Sequence, residues 1–283
     1  MRCFHKQITR KAARTILIEP LVDLLKTDDI RLYEYNVSFQ EGVNDSFVIL
    51  HTSGSTGPSK PVFIKHRTIT AMDAGQRSLF TNSHIICYKG LRAFLPFPMF
   101  HLGGLSMLIF GLYNGMNIVF PLPGPLTAEL ANSIHSALDV QLTILPPSIL
   151  ADIAAVPEYL DRLSDIPLTA YGGGPIPTAV GDKIASKTHL HTAFGSTEAG
   201  TFILDLPAPE DWRYVKFSSM LGYEMTLVMD DLYELCFRRN IELQDYQPIF
   251  ATFPEAMIYN TGDLSPDIPR KMIYGDLRHD ETV

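Results

Sequence analysis

The chain has 283 residues, 46% of them hydrophobic and 19% charged, with a formal net charge of −8. Such a composition belongs to a globular protein with a sizeable core and excludes an intrinsically disordered chain. The acidic balance argues against a general nucleic-acid binder, but not against a small anionic ligand held by local geometry.

The opening residues, MRCFHKQITRKAARTILIEPL, are basic and hold no acid before Glu19. They lack the serines of a transit peptide and the long apolar run of a secretory signal. Cys3, Cys87 and Cys236 are odd in number and far apart, which argues against a disulfide framework or a zinc site and for a reducing, cytoplasmic setting. A strand is expected over 47–51 (FVILH) and a helix over 68–80, where Ile69, Met72, Gln76 and Leu79 share a face. The most apolar stretch, 102–122, is interrupted by Asn114, Asn117, glycines and Pro121. A membrane-spanning helix needs about 20 apolar residues without such breaks. The stretch reads instead as a buried helix over 101–113 and a strand over 117–120, preceded by a strand over 92–97.

Helices follow over 127–138, 147–156 and 177–186, alternating with strands over 140–145, 168–171 and 189–193. Repeated strand–helix–strand units imply an α/β fold with a doubly wound, mostly parallel sheet covered on both faces. After Gly200 the helical period fades. Strands over 212–217, 225–229 and 232–238 predict a small antiparallel β subdomain toward the C-terminus, ending near Tyr259.

Ligands of doubly wound sheets sit at the carboxyl ends of the strands. The three least ordinary loops, 52–60, 172–176 and 194–200, each follow an expected strand, which points to one shared site. In the first, HTSGSTGPSKP at 51–61, glycines permit close approach of the backbone to an anion and successive N–H groups can form a phosphate nest. Thr52, Ser53, Ser55, Thr56 and Lys60 add donors and charge. The loop is not a Walker A loop, because Lys60 follows Ser59 and precedes Pro61, and not a serine-hydrolase elbow, because Ser53 stands where glycine is required. A Ser/Thr/Gly tract alone would read as polar surface loop. The strand before it and the lysine after it turn the reading toward a triphosphate.

HTSGSTG…K resembles the phosphate-binding loop of the adenylate-forming superfamily, which includes acyl-CoA synthetases, luciferases and adenylation domains of nonribosomal peptide synthetases. His51, Lys60-Pro61-Val62 and His66 look most like fungal nonribosomal peptide synthetase-like and carboxylic acid reductase adenylation domains. The proline stands one place earlier than the family's Pro-Lys, at Pro58-Ser59-Lys60. Further segments follow in the family's order: Pro98-Met99-Phe100-His101-Leu102-Gly103-Gly104-Leu105, Tyr171-Gly172-Gly173-Gly174-Pro175, Phe194-Gly195-Ser196-Thr197-Glu198 and Tyr259-Asn260-Thr261-Gly262-Asp263-Leu264. Singly, His101 reads as a core histidine and Asp263 as a turn residue; jointly the segments are specific. The resemblance covers the chain from about Leu21 to its end.

The resemblance implies a mechanism in which a carboxylic acid attacks ATP, forms an acyl-adenylate and passes the acyl group to a thiol of CoA or phosphopantetheine. It implies that Thr52, Ser53, Gly54, Ser55, Thr56, Gly57 and Lys60 hold phosphates, that Thr197 meets the α-phosphate and that Glu198 holds Mg²⁺. Gly172, Gly173, Gly174, Phe194, Gly195 and Ser196 would flank adenine and the acyl group. Asp263 and Arg278 would meet the ribose, and His101 and Gly103 the acid. The implied organisation is a residual N-terminal segment over 1–45, a nucleotide-binding core over 46–200, the β subdomain over 201–263 and a hinge stub over 264–283. Much of the family's amino-terminal portion, and the mobile domain with its lysine, have no counterpart in this sequence. The expectation is therefore nucleotide or acyl-adenylate binding with little adenylation by the chain alone; a carrier domain supplied in trans is an expected partner. The alternative is a remnant that binds only nucleotide or a protein partner. No nucleic acid or membrane is expected as a partner.

Overall fold

The structure, a computed structural model, describes residues 20–26, 32–52, 60–77, 84–218, 221–265, 272–273 and 278–279. Two compact units divide the chain, Met1–Ser38 and Phe39–Val283. In the first, Asp23 of the one-turn helix α1 (Leu21–Leu24) pairs with Lys26 just beyond it at 3.0 Å, both exposed, and residues 32–38 carry no regular structure.

The second unit opens with α2 (Phe39–Gly42) and two strands, β1 (Ser46–Thr52) and β2 (Lys60–Lys65). They pair antiparallel, with Thr52 opposite Lys60 and Ile49 opposite Phe63. The alternating pattern put 47–51 at the head of the parallel series, and here the structure differs: β1 and β2 form a two-stranded sheet of their own. The physical reason is length. A parallel return needs a crossover of a dozen or more residues, and only 53–59 separate the strands. In β2, KPVFIK, Val62 and Ile64 face inward while Phe63 faces out; two lysines and a proline conceal that alternation in the sequence.

The chain then runs through α3 (His66–Arg77), α4 (His84–Cys87), β3 (Arg92–Phe94), α5 (Leu102–Tyr113) and β4 (Asn117–Val119). It continues as α6 (Ala128–Ala137), β5 (Leu142–Leu145), α7 (Pro147–Ala155), α8 (Pro157–Arg162), β6 (Leu168–Tyr171), α9 (Thr178–Ala185) and β7 (His189–Thr192). Strands β3 to β7 form one parallel sheet in the order β4-β3-β5-β6-β7. From β3 the chain steps outward to β4, then crosses back to β5 on the other side of β3, so the winding reverses between β3 and β5.

Side chains alternate between the two faces of this sheet. Ala93, Leu142, Ile144 and Ala170 join one buried cluster with Met107 and Phe110 of α5. Phe94, Leu145, Tyr171 and Leu190 join a second cluster with Ala131 and Ile134 of α6, Leu150 and Ile153 of α7 and Ile184 of α9. Burial on both faces is why β5 reads LTIL, apolar nearly throughout, with all four residues buried. Helix α6 begins where Thr127 Oγ1 accepts the Leu130 amide at 3.2 Å, a side-chain cap on an otherwise unsatisfied N–H. Pro147 opens α7, a position where its missing N–H costs nothing.

Beyond the parallel sheet come β8 (Gly195–Ser196), β9 (Gly200–Thr201), β10 (Leu204–Asp205), β11 (Tyr214–Phe217), β12 (Tyr223–Met229) and β13 (Leu232–Arg238). The short helix α10 (Ile249–Thr252), β14 (Ile258–Ser265), β15 (Met272–Ile273) and β16 (Arg278–His279) complete the described elements. Small antiparallel sheets follow the orders β10-β11-β15 and β12-β13-β14-β16. The expected antiparallel region is therefore present, but it runs past Tyr259: the YNTGDL segment is strand β14, held between β13 and β16. Aromatic rings bind this region to the parallel sheet. Phe202 stacks on Phe237 at 4.8 Å and on Phe194 at 5.6 Å, and Phe217 meets Phe194 edge-on at 5.6 Å. Among the described residues no helix is long and apolar enough to cross a membrane.

Candidate active site

A cavity of about 320 Å³ lies where the carboxyl ends of β3, β5, β6 and β7 meet α5. The strands supply Phe97 beyond β3, Ile144 in β5, Gly172 and Gly173 after β6, and Ala193 to Thr197 after β7. Helix α5 supplies Leu102, Gly103 and Met107, with His101 at its N-cap. The position flanks the reversal of winding between β3 and β5, where the diverging loops leave a crevice.

Backbone conformation shapes the β6 end. Gly173 has φ +83°, a value that side chains rarely tolerate, and a Cβ at Gly172 would lie 2.7 Å from the carbonyl oxygen of Ala193. The two glycines therefore allow the β6 and β7 loops to run close together and leave main chain facing the cavity. At the β7 end, residues 195–201 fold into a tight hairpin, with Gly195 opposite Thr201 and Ser196 opposite Gly200. Ser196 Oγ accepts the Ala199 amide at 3.1 Å, which closes the turn and sets Thr197 and Glu198 at its tip. Thr252 of α10 donates its hydroxyl to the Glu198 carbonyl at 2.8 Å and ties the hairpin to that helix.

Of the residues singled out in the sequence, the cavity gathers His101, Gly103, Gly172, Gly173, Phe194, Gly195, Ser196 and Thr197. Phe194 is 8% exposed and gives most of its ring to the aromatic stack with Phe202 and Phe217 rather than to the cavity. His101 is exposed, its ring 4.7 Å from that of Phe100. Gly174, Glu198, Asp263, Thr52 and Lys60 are not among the lining residues. Glu198 and Asp263 nevertheless both act electrostatically on Tyr259. Burial, then the charges of Glu198 and Asp263, push the Tyr259 hydroxyl up to about 12. Asp263 is 8% exposed, and its amide donates to Thr261 Oγ1 at 3.0 Å. Thr52 and Lys60 face each other across the mouth of the β1–β2 hairpin. Ser53, Gly54, Ser55, Thr56 and Gly57 lie outside the described residues, as does the side chain of Arg278, whose backbone pairs with Leu264.

Sequence reasoning assigned no role to Phe97, Leu102, Met107, Ile144, Ala193, Gly200 and Thr201, which also line the cavity, although Leu102, Ala193 and Gly200 lie within or beside the segments that carry the resemblance. Phe97 and Thr201 stand next to recognised segments, and proximity alone would have found them. Ile144 and Met107 are apolar residues in apolar elements and carry no signal of their own.

The AMP-binding enzyme family model matches residues 9–234. An isocyanide synthase–NRPS hybrid, crmA, of Aspergillus fumigatus is 30% identical, over 94% of this chain and 18% of that protein. A carboxylic acid reductase of Neurospora crassa is 26% identical, over 82% of this chain and 23% of that protein. This chain thus spans about a fifth of the length of these curated relatives. Among solved structures, the N-terminal domain of FACL13 from Mycobacterium tuberculosis superposes with a TM-score of 0.68 at 21% identity, over 91% of this chain and 66% of that one. The parallel sheet, the loops gathered at its carboxyl ends and the match over 9–234 agree: this chain belongs to the AMP-binding enzyme family.

Proposed function

We propose that this chain is the nucleotide- and acid-binding core of an enzyme that activates a carboxylic acid as its acyl-adenylate. The observation that carries the reading is the convergence of separate stretches, at His101–Gly103, Gly172–Gly173 and Phe194–Thr197, on one cavity at the sheet's carboxyl ends. In this reaction a carboxylate oxygen attacks the α-phosphorus of ATP. The bond to the bridging oxygen breaks, pyrophosphate leaves and a mixed anhydride with AMP remains. Both reactants are anionic, so the site must present N–H groups and positive charge to the developing negative charge.

Each residue has a part in this reading. Gly172, Gly173 and Gly195 bring main chain close to the adenine and the acyl group, with Gly174, Phe194 and Ser196 beside them. Thr197, at the hairpin tip, donates to the α-phosphate. Lys60 and the 52–57 loop hold the outer phosphates, and Asp263 and Arg278 meet the ribose hydroxyls. Among the described residues no group of three or more His, Cys, Asp or Glu could hold a metal. Mg²⁺ is commonly held by phosphate oxygens and one or two carboxylates; Glu198 is the carboxylate for it in this reading. Bound there, magnesium would offset phosphate charge. The acyl group then passes to the thiol of CoA or phosphopantetheine and releases AMP, with a carrier domain in trans as a fitting donor of that thiol. In this organisation 46–200 is the core, 201–263 the β subdomain, 264–283 a hinge and 1–45 an N-terminal segment, all in a reducing, cytoplasmic setting.

Calorimetric binding of Mg·ATP, together with acid-dependent ATP–pyrophosphate exchange over aryl, α-keto and aliphatic acids, tests the proposal. Binding is the expected result, and exchange would extend it to the full half-reaction. Binding without exchange for any acid favours a role in binding alone. A chain that binds neither ATP nor AMP removes the reading.

A further inference from the structure

The acid side of the cavity has a composition of its own. Its wall is Phe97, Leu102, Met107, Ile144 and Ala193, and its only ionisable lining residue among those described is His101. Met107 and Ile144 belong to the buried cluster that α5 shares with the parallel sheet, so the floor is the hydrophobic core itself. Among the described residues no Asp, Glu, Lys or Arg lines the cavity. An ammonium or second carboxylate carried into this floor would leave water without a counter-charge, which a buried ion cannot sustain. An aryl or alkyl group would instead exchange water for apolar surface.

Gly103 and Gly104, neighbours in the first turn of α5, stand in opposite situations. A Cβ at Gly104 would lie 2.2 Å from the carbonyl oxygen of Pro98, so that glycine lets α5 pack on the preceding loop. A Cβ at Gly103 would meet nothing within 4 Å among the described residues. Gly103 lines the cavity and is exposed. Packing against the described residues therefore does not require its missing side chain, and the space above it opens into the cavity.

We infer that the acid activated here carries an uncharged, apolar tail without a free amino group, and that the space over Gly103 sets the bulk of tail admitted. The inference rests on the reading of this cavity as an acyl-adenylate site. A non-hydrolysable series, acyl-sulfamoyladenosines bearing acetyl, hexanoyl, benzoyl and leucyl groups, tests it by calorimetry on the full chain. The hexanoyl or benzoyl analogue should bind at least tenfold more tightly than the leucyl analogue, whose α-ammonium is the only added charge. Equal or tighter binding of the leucyl analogue overturns the inference while leaving the acyl-adenylate reading intact. If no analogue binds better than AMP, the acyl-adenylate reading itself fails and takes this one with it. In Gly103→Leu, affinity for the hexanoyl and benzoyl analogues should fall at least tenfold more than affinity for the acetyl analogue. Comparison within one variant separates filled space from misfolding, and a uniform loss across the series would exclude Gly103 as the gauge.

Discussion

Thr52 and Lys60 occupy the last rung of the β1–β2 hairpin, and Thr197 and Glu198 the tip of the β8–β9 hairpin. Both pairs are held by strands whose backbone pairing is fixed, so these side chains inherit the order of their supports. Glu198 illustrates how little of its placement is local: its carbonyl is held by Thr252, fifty-four residues onward. Replacing Glu198 or Lys60 by alanine should weaken Mg·ATP binding by roughly tenfold each, the scale of one lost charge-assisted contact. Calorimetry on the folded variants measures this, and unchanged affinity in both removes these residues from the site. The sequence named Thr197, Glu198, Gly172 and Gly173 through their neighbours in short, distinctive segments. It offered no such sign for Met107 or Ile144, because an apolar residue in a buried element looks the same whether it faces a helix or a cavity.

Element boundaries followed the local chemistry. Helix α6 runs Ala128–Ala137 against an expectation of 127–138, and its start is fixed by the Thr127 cap. Thr127→Ala should destabilise the protein by about 1 kcal/mol, read as a lower urea midpoint with an unchanged slope. A larger loss would show that Thr127 does more than cap. Strands β5 and β6 were also legible, since burial on both faces demands nearly continuous apolar sequence. Partnership was not legible in the same way. The apolar run of β1 suits a parallel or an antiparallel neighbour alike, and only the shortness of the following loop decides between them. Strand β14 was hidden for another reason: its residues, IYNTGDLS, read as a turn when taken alone, and pairing with β13 on one side and β16 on the other makes them a strand.

Among the described residues three histidines are buried, and this shapes the response of the fold to acid. His84 on α4 places Nδ1 2.8 Å from the Leu204 carbonyl oxygen, His191 on β7 meets the Tyr88 hydroxyl, and His135 on α6 lies 3.1 Å from Thr143 Oγ1. Burial lowers His84 and His135 to about 4, with Arg162 adding to the effect at His135. Burial and the neighbouring His84 lower His191 to about 3. In the unfolded chain these imidazoles take up protons near pH 6.5, whereas the folded chain resists until pH 3–4. The unfolded state therefore binds more protons throughout that window, and stability falls as pH drops through it. The slope is about 1.4 kcal/mol per pH unit for each histidine once its unfolded form is fully protonated. Urea midpoints should be flat above pH 7 and fall clearly between pH 6.5 and 5, where most carboxylates are still ionised. A flat profile across that range would contradict the buried, neutral state of these rings.

The sequence by itself determined the fold class, the order of elements from Arg92 to Thr192 apart from helix α8, and several of the segments that gather at the cavity. Each of these is written in local periodicity, turn chemistry or a short motif. Tertiary structure decided which strands pair, which aromatic rings lock the β region to the sheet, and the apolar character of the cavity floor. Those properties arise between residues far apart in the chain. Ile144 and Met107 meet at one cavity because β5 and α5 pack on the same face of the sheet, and no pattern within either segment records that meeting.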